Sequence, residues 1–163
     1  MKEGNLQIVE YNSDYQQRFR EINEQWITRS FALEEEDTRT LSNPEKYILI
    51  NSGKLYIALY DDFPVGTCGY LNFGNHTYEM IKMAVDEKYR GLKIGRIILE
   101  ESINRIRTLG ARKIFLYSNT KGSEVAINLY YKLGFVKIDL GEPEFERADI
   151  KMELLLQLVQ TSN

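Results

Sequence analysis

Apolar residues along the chain follow two spacings, one typical of strands and one typical of helices. Short runs rich in apolar, β-branched and aromatic residues predict strands at residues 6–10, 54–60, 65–71, 77–85, 113–117, 135–139 and 149–154. Apolar residues three to five positions apart predict helices at residues 15–31, 94–109 and 123–133, and Asn43-Pro44 begins a further short helix. With no repeat or linker between these elements, residues 1–163 are expected to form a single α/β domain.

The central unit of this pattern is a strand, a polar loop and a helix. The strand at residues 78–85 is followed by a glycine-containing loop, and the helix begins at Ile94 and ends before Leu109-Gly110. The next strand, at residues 113–117, follows directly. A strand, a helix and a second strand in this order predict a right-handed βαβ unit with parallel strands.

The loop from Arg90 to Gly95 supplies unpaired backbone N–H groups at the start of this helix. The positive end of the helix dipole lies at the same place, so the loop suits an anion such as a phosphate or pyrophosphate. Gly91 and Gly95 would let a ligand approach the backbone closely. Spacing alone leaves a second interpretation open, a turn in which the glycines serve only to begin the helix.

Composition narrows the class of protein. A net charge of −3 and three prolines among 163 residues suit a globular domain and disfavour a nucleic-acid-binding protein. No apolar run is long enough to span a membrane, and the first residues lack the apolar core of a signal peptide. The single cysteine, Cys68, favours a reducing cytoplasm and is expected to be buried. One histidine and one cysteine predict no zinc site, and no metal is expected.

Three further features carry less specific predictions. Trp26 is expected to anchor the core or a groove. The acidic run at residues 34–37 is expected to be solvated surface, with a negative rim that attracts a cationic amine as the alternative. Strand alternation places Glu79 on one face of the sheet together with Ile81, Met83 and Val85, and places Lys82 on the opposite face without a role.

The stretch from Ala84 to Gly95 resembles the acetyl-CoA loop of the GNAT superfamily of N-acetyltransferases. The family pattern is Gln/Arg-x-x-Gly-x-Gly/Ala, and Arg90 and Gly95 match its two ends. Lys93 replaces the middle glycine, where a left-handed backbone would cost a lysine roughly 1–2 kcal/mol. Either the loop has a different shape here, or the positive charge of the lysine offsets the strain.

A second stretch, residues 123–135, resembles the other hallmark of the same family, Asn-x-x-Ala-x-x-x-Tyr-x-x-x-Gly-Phe. Ala126, Tyr130 and Gly134-Phe135 match in spacing, whereas Ser123 replaces the leading asparagine. Asn119 lies nearby and could make the contact to the pantetheine arm instead. The two motifs together cover residues 77–135, and residues 1–60 fit the family only in the order of their elements.

The resemblance implies a GNAT fold, a mixed twisted sheet of about seven strands flanked by about four helices. Acetyl-CoA would lie in a V between strands 77–85 and 112–117. Tyr130 would be the acid for the departing thiolate, and Glu79 occupies the position at which some members place the general base. The residues implied in acetyl-CoA binding are Met83, Val85, Arg90, Gly91, Leu92, Lys93, Ile94, Gly95, Arg96, Asn119, Ser123, Ala126 and Tyr130.

The function expected from this resemblance is transfer of an acetyl group from acetyl-CoA to a primary amine by direct attack in a ternary complex. Such a reaction must remove a proton from an amine whose pKa in water is ~10.4. Two alternatives remain, a non-catalytic sensor of acyl-CoA and a generic nucleotide-phosphate binder. The acceptor, a small molecule or a peptide amine, is not encoded in any motif, and a homodimer is left open.

Overall fold

The computed structural model describes residues 4–143 and 145–157. This part of the chain forms seven strands and five α-helices. The strands are β1 (Leu6–Glu10), β2 (Lys54–Tyr60), β3 (Phe63–Gly74), β4 (Thr77–Val85), β5 (Lys113–Ser118), β6 (Val136–Ile138) and β7 (Ile150–Leu155). The helices are α1 (Gln16–Ser30), α2 (Glu35–Ser42), α3 (Pro44–Tyr47), α4 (Ile94–Thr108) and α5 (Glu124–Lys132).

All seven strands belong to one mixed sheet with the order β1-β2-β3-β4-β5-β7-β6. β4 and β5, which α4 connects along the chain, are parallel neighbours, and the other neighbouring pairs are antiparallel. The predicted α/β sheet of seven strands is therefore confirmed, as is the parallel βαβ unit. None of the helices in the described residues is long and apolar enough to cross a membrane.

Helix α2 is the main element that the hydrophobic pattern did not predict. Its first turn consists of the acidic run, in which Glu34 and Asp37 form a reciprocal capping box. Each of these two side chains accepts a hydrogen bond from the other residue's backbone N–H, which satisfies donors that a helix start leaves unpaired. Acidic residues in a first turn also interact favourably with the helix dipole. The run thus begins a helix and is not merely a solvated loop.

The helices cover the two faces of the sheet and create two apolar cores. Helices α4 and α5 pack on one face, where Ile98 and Leu99 are fully buried. On the other face Phe19 of α1 and Leu41 of α2 pack against apolar residues of β2 and β4. Cys68 is buried in the first of these cores, as predicted.

A β-bulge in β4 changes which side chains share a face. Gly69 pairs with Ile81 and Thr67 with Ala84, so β4 contains one residue more than β3 over this interval. Lys82 lies within the bulge and has a left-handed backbone with φ of 53°. An extra residue shifts the alternation of a strand, so side chains after it leave the opposite face.

This shift corrects the expectation that Glu79, Ile81, Met83 and Val85 share one face. Ile81 packs in the core beneath α1 and α2, whereas Met83 and Val85 pack against the core beneath α4 and α5. The residues that follow the bulge therefore face the helix that begins at Ile94. Side chains of this strand do not alternate strictly between the two faces, because the bulge inserts one residue. The sequence did not predict this, since no residue type marks the bulge.

Candidate functional site

A cavity lies where β4 and β5 separate. The two strands pair only over Thr77–Met80 and Lys113–Leu116, so the last residues of β4 have an unpaired edge toward β5. The cavity has a volume of about 780 Å³, within the range of small-molecule sites. Its position at the carboxyl ends of two parallel strands is where open α/β sheets usually bind ligands. The predicted V between these strands is therefore present.

The loop before α4 forms one end of the cavity. Lys93 occupies the N-cap position with φ of 61° and ψ of 20°, so the loop keeps the left-handed conformation that the lysine was expected to disfavour. Ile97 is the first residue of α4 whose amide bonds back into the loop, to the carbonyl of Lys93. Among the described residues, the amides of residues 94–96 have no backbone partner, which leaves three donors directed out of the helix start.

Positive charge surrounds these amides. Arg90, Lys93 and Arg96 are exposed at the same end of the cavity, and Arg96 forms an ion pair with Glu100 at 2.7 Å. A Cβ atom at Gly95 would lie 3.3 Å from Cε of Met83 and 3.7 Å from Val85. The start of α4 thus lies close to the end of β4. Unpaired amides, a helix dipole and cationic side chains together suit an anion such as a pyrophosphate.

Helix α5 and the loop before it form the opposite wall. Asn119 is buried, and its side-chain amide donates to the carbonyl of Lys121. Ala126 faces the cavity from the first turn of α5. Ser123 occupies the N-cap position of α5, and its side chain makes no capping hydrogen bond.

Tyr130 belongs to this wall and lies on the buried face of α5. Only 6% of the residue is exposed, and its ring contacts Phe135 with 5.6 Å between centroids. No described residue hydrogen-bonds its hydroxyl, which belongs to a side chain that lines the cavity. Burial raises the pKa of the Tyr130 phenol above its ordinary value. The phenol therefore keeps its proton at neutral pH and can donate it to an atom within the cavity.

The cavity is also lined by Glu79, Trp26, Phe145 and Arg147. Glu79 is 9% exposed and stands opposite Leu71 of β3 and Phe115 of β5. We call the part of the cavity lined by these four residues the acceptor end. It combines aromatic surface with ionisable side chains.

Behind the acceptor end lies a buried cluster of charges centred on Asp37. Its carboxylate binds Lys82 at 2.6 Å and the guanidinium of Arg147 through two bonds of 2.8 Å each. Glu34 also binds Arg147, and Glu36 binds Lys82. Burial alone would raise the pKa of Asp37, but the hydrogen bonds from Arg147 and Lys82 lower it to about 2.

This cluster corrects two expectations from the sequence. Asp37 is fully buried, so the acidic run at residues 34–37 is not simply solvated surface. Lys82 does not point away from the site without a role, because it lines the same cavity as Glu79 and binds α2. The bulge accounts for both the position and the contacts of this lysine.

All predicted site residues except Leu92 line the cavity. Leu92 is 47% exposed on the outside of the loop. The roles of these residues toward acetyl-CoA and an acceptor remain predictions.

Sequence reasoning missed Phe145, Arg147 and the role of Lys82, since Arg147 meets Asp37 across 110 residues of chain. The capping-box spacing of Glu34 and Asp37 was the one available signal in this region. The described residues contain no group of three His, Cys, Asp or Glu side chains placed to hold a metal.

The chain is similar to known acetyltransferases in both sequence and structure. The sequence model of the Acetyltransferase (GNAT) family matches residues 11–135. A GNAT-family acetyltransferase from Staphylococcus aureus Mu50 is 25% identical with a TM-score of 0.85, covering 94% of this chain and 100% of that chain. Among curated proteins, none matches the chain significantly.

Two further solved structures contain the ligand expected here or its product. The YncA protein of Salmonella typhimurium, solved with acetyl-CoA, has a TM-score of 0.73 at 18% identity and covers 98% of each chain. The PaiA N-acetyltransferase of Thermoplasma acidophilum, solved with coenzyme A, has a TM-score of 0.70 at 18% identity, covering 93% of this chain and 99% of that chain. At this identity the likeness concerns the fold.

Proposed function

The chain belongs to the GNAT acetyltransferase family, and from this premise we propose that it transfers the acetyl group of acetyl-CoA to a primary amine. The observation that carries the proposal is that one cavity is lined by the cationic loop at the start of α4, by Tyr130 and by Glu79. A site for an anion, a proton donor and a carboxylate thus share one cavity. Acyl transfer from a thioester to an amine uses each of these groups.

In this proposal the pyrophosphate of acetyl-CoA binds the amides of residues 94–96, with Arg90 and Lys93 beside it. The pantetheine arm, which contains amide groups, follows the unpaired edge of β4 at Met83 and Val85. Such an edge offers backbone donors and acceptors that need partners. Asn119 and Ala126 form the opposite wall. The thioester then lies near Tyr130, which also lines the cavity.

The reaction needs two protons to leave the ammonium form of the acceptor and one to reach the sulfur. Glu79, directly or through water, takes the first proton, and the neutral nitrogen attacks the acetyl carbon. The nitrogen loses its second proton to solvent as the amide forms. As the bond between carbon and sulfur breaks, the Tyr130 hydroxyl donates a proton to the departing thiolate, and solvent restores the phenol. The products are an N-acetylated amine, free CoA and one proton released to solvent.

The proposal is tested by release of free CoA from acetyl-CoA in the presence of amines. The panel should contain an amino acid, a polyamine, an aminoglycoside, a lysine peptide and a peptide with a free N-terminus. Turnover with at least one amine, together with a product whose mass is increased by one acetyl group, is the expected result. Tight binding of acetyl-CoA without turnover on any amine would instead support a non-catalytic sensor.

The role of Glu79 is tested separately by a pH–rate profile on one good amine. As a base Glu79 acts when ionised, so the rate of the wild-type protein should rise with pH through the pKa of this carboxyl. Glu79→Gln should remove that rise and lower the plateau by at least about tenfold, with binding of acetyl-CoA retained. Parallel profiles with similar plateaus would show that water or another residue accepts the proton.

A further inference from the structure

The buried carboxylate of Asp37 joins three separate parts of the chain at the acceptor end. Asp37 lies on α2, and its Oδ1 accepts hydrogen bonds from Lys82 of β4 at 2.6 Å and from Nη2 of Arg147 at 2.8 Å. Its Oδ2 accepts a further bond from Nη1 of Arg147 at 2.8 Å. A two-bond contact between a carboxylate and a guanidinium fixes the orientation of both groups. Asp37 therefore determines where the side chain of Arg147 lies.

Arg147 in turn organises the aromatic wall of the acceptor end. Its guanidinium lies over the ring of Phe145 at 4.5 Å and over the ring of Trp26 at 5.6 Å. All three side chains line the cavity. We call residues 145–148 the acceptor wall. The wall is held against α1 and α2 through Arg147, because the backbone amide of Glu146 and the guanidinium of Arg147 also bind Glu34.

The second partner of Asp37 lies in the bulge of β4. The carbonyl of Lys82 accepts a hydrogen bond from the buried hydroxyl of Thr67 at 2.6 Å, and Asn23 of α1 donates to the same hydroxyl at 3.0 Å. These contacts hold the backbone of the bulge, and Asp37 holds its side chain. The bulge separates Glu79 from the part of β4 that faces α4. Asp37 thus fixes the acceptor wall and the strand that carries Glu79 relative to each other.

We propose that Asp37 is a positioning residue for the acceptor, which it orients through Arg147 and Lys82 without contacting the acceptor itself. This inference rests on the proposed acetyl transfer to an amine. The acceptor enters between the acceptor wall and Glu79. The position of the wall sets how often the attacking nitrogen lies in line with the thioester. Small errors in such alignment cost rate steeply.

Kinetics with a fixed good amine test one half of this proposal. Asp37→Asn should lower kcat/KM for the amine by about tenfold or more, and the Kd of acetyl-CoA should stay within about threefold. Arg147→Met, which keeps an apolar stem of similar length but removes the fork, should reproduce the defect. Arg147→Lys should restore only part of the lost kcat/KM, because a lysine keeps the charge but not the two-bond contact.

Fluorescence tests the other half without any turnover, since Trp26 is the single tryptophan of the chain. Asp37→Asn and Arg147→Met should each raise the acrylamide quenching constant of Trp26 by roughly twofold, because the guanidinium no longer covers the ring. Leu41→Val, a conservative change in the buried core of the same helix, controls for general loosening of α2. It should leave both the quenching constant and the kinetics for the amine close to those of wild type.

Each outcome decides the matter. Unchanged quenching in both Asp37→Asn and Arg147→Met would show that Asp37 does not hold the acceptor wall. Increased quenching with an unchanged kcat/KM for the amine would show that the wall does not position the acceptor, and either result overturns the inference. If Asp37→Asn does not fold, Arg147→Met carries the same test, since Lys82 still neutralises Asp37 in that variant. A wild-type protein that acetylates no amine would overturn the proposed function, and the quenching results would still show whether Asp37 holds the wall.

Discussion

The left-handed backbone at Lys93 allows a quantitative prediction about the loop before α4. Residues with a Cβ atom lose roughly 1–2 kcal/mol in this conformation relative to glycine. Lys93→Gly removes that cost but increases the conformational entropy of the unfolded chain, which offsets about 0.4–1 kcal/mol of the gain. The free energy of unfolding should therefore rise by about 0.5–1 kcal/mol. In a domain of this size the melting temperature should rise by roughly 1–4 °C.

The matched control is Lys93→Ala, which removes the same charge but keeps the Cβ atom. Thermal unfolding of the ligand-free proteins, followed by circular dichroism, should place Lys93→Gly above Lys93→Ala. Calorimetry with CoA should show a similar loss of affinity for both variants, at most about fivefold and smaller at high salt, because Lys93 is exposed. A melting temperature of Lys93→Gly at or below that of Lys93→Ala would refute the argument that the lysine is strained.

Three further predictions concern the other parts of the site. Tyr130→Phe should lower kcat by roughly 10²–10⁴-fold with an unchanged Kd for acetyl-CoA. The same change at the exposed neighbour Tyr131 should have little effect on kcat. If kcat of Tyr130→Phe falls by less than about threefold, Tyr130 has only a packing role. Gly95→Asp should abolish binding of CoA in calorimetry, because it adds negative charge beside the pyrophosphate. Gly95→Ala should retain binding, since its Cβ would meet only the flexible end of Met83 at 3.3 Å. Unchanged affinity in a folded Gly95→Asp variant would contradict the location of the pyrophosphate. Because its pKa is lowered to about 2, the Asp37 carboxyl should stabilise the fold fully at pH 6 and progressively less as the pH falls from about 4 toward 2. The difference in unfolding free energy between wild type and Asp37→Asn, measured with urea, should therefore shrink by about 1 kcal/mol between pH 6 and pH 3. A constant difference would contradict the ion pairs of Asp37.

The two ends of the cavity are built on different principles. The cationic loop uses mostly backbone amides at a helix start, so it depends on the conformation of residues within one short stretch. The acceptor end uses side chains from α1, β4 and residues 145–148 that meet through Asp37. In the proposed acetyl transfer, the cationic loop would bind acetyl-CoA and the acceptor end would bind the amine.

The sequence by itself determined the order of the strands and of every α-helix except α2, and the position of the loop before α4. These features depend on local patterns, namely apolar spacing, the glycines near residue 91 and the tyrosine and Gly-Phe motif that ends at Phe135. The local signals were strong enough to place thirteen of the fourteen predicted site residues around the cavity that the structure contains, with Leu92 as the exception. They also resolved the family before any contact between distant residues was known.

Only the tertiary structure decided which face of β4 each side chain takes and what surrounds the acceptor end. The bulge at Lys82 arises from pairing with β3, so strict alternation gave the wrong face for Met83 and Val85. Asp37 appeared as part of a polar run, since composition cannot show that two cations from elsewhere in the chain neutralise it. A carboxylate can be buried when its partners are buried with it. Those partners, Lys82 and Arg147, lie 45 and 110 residues away in the sequence, and only folding brings them together.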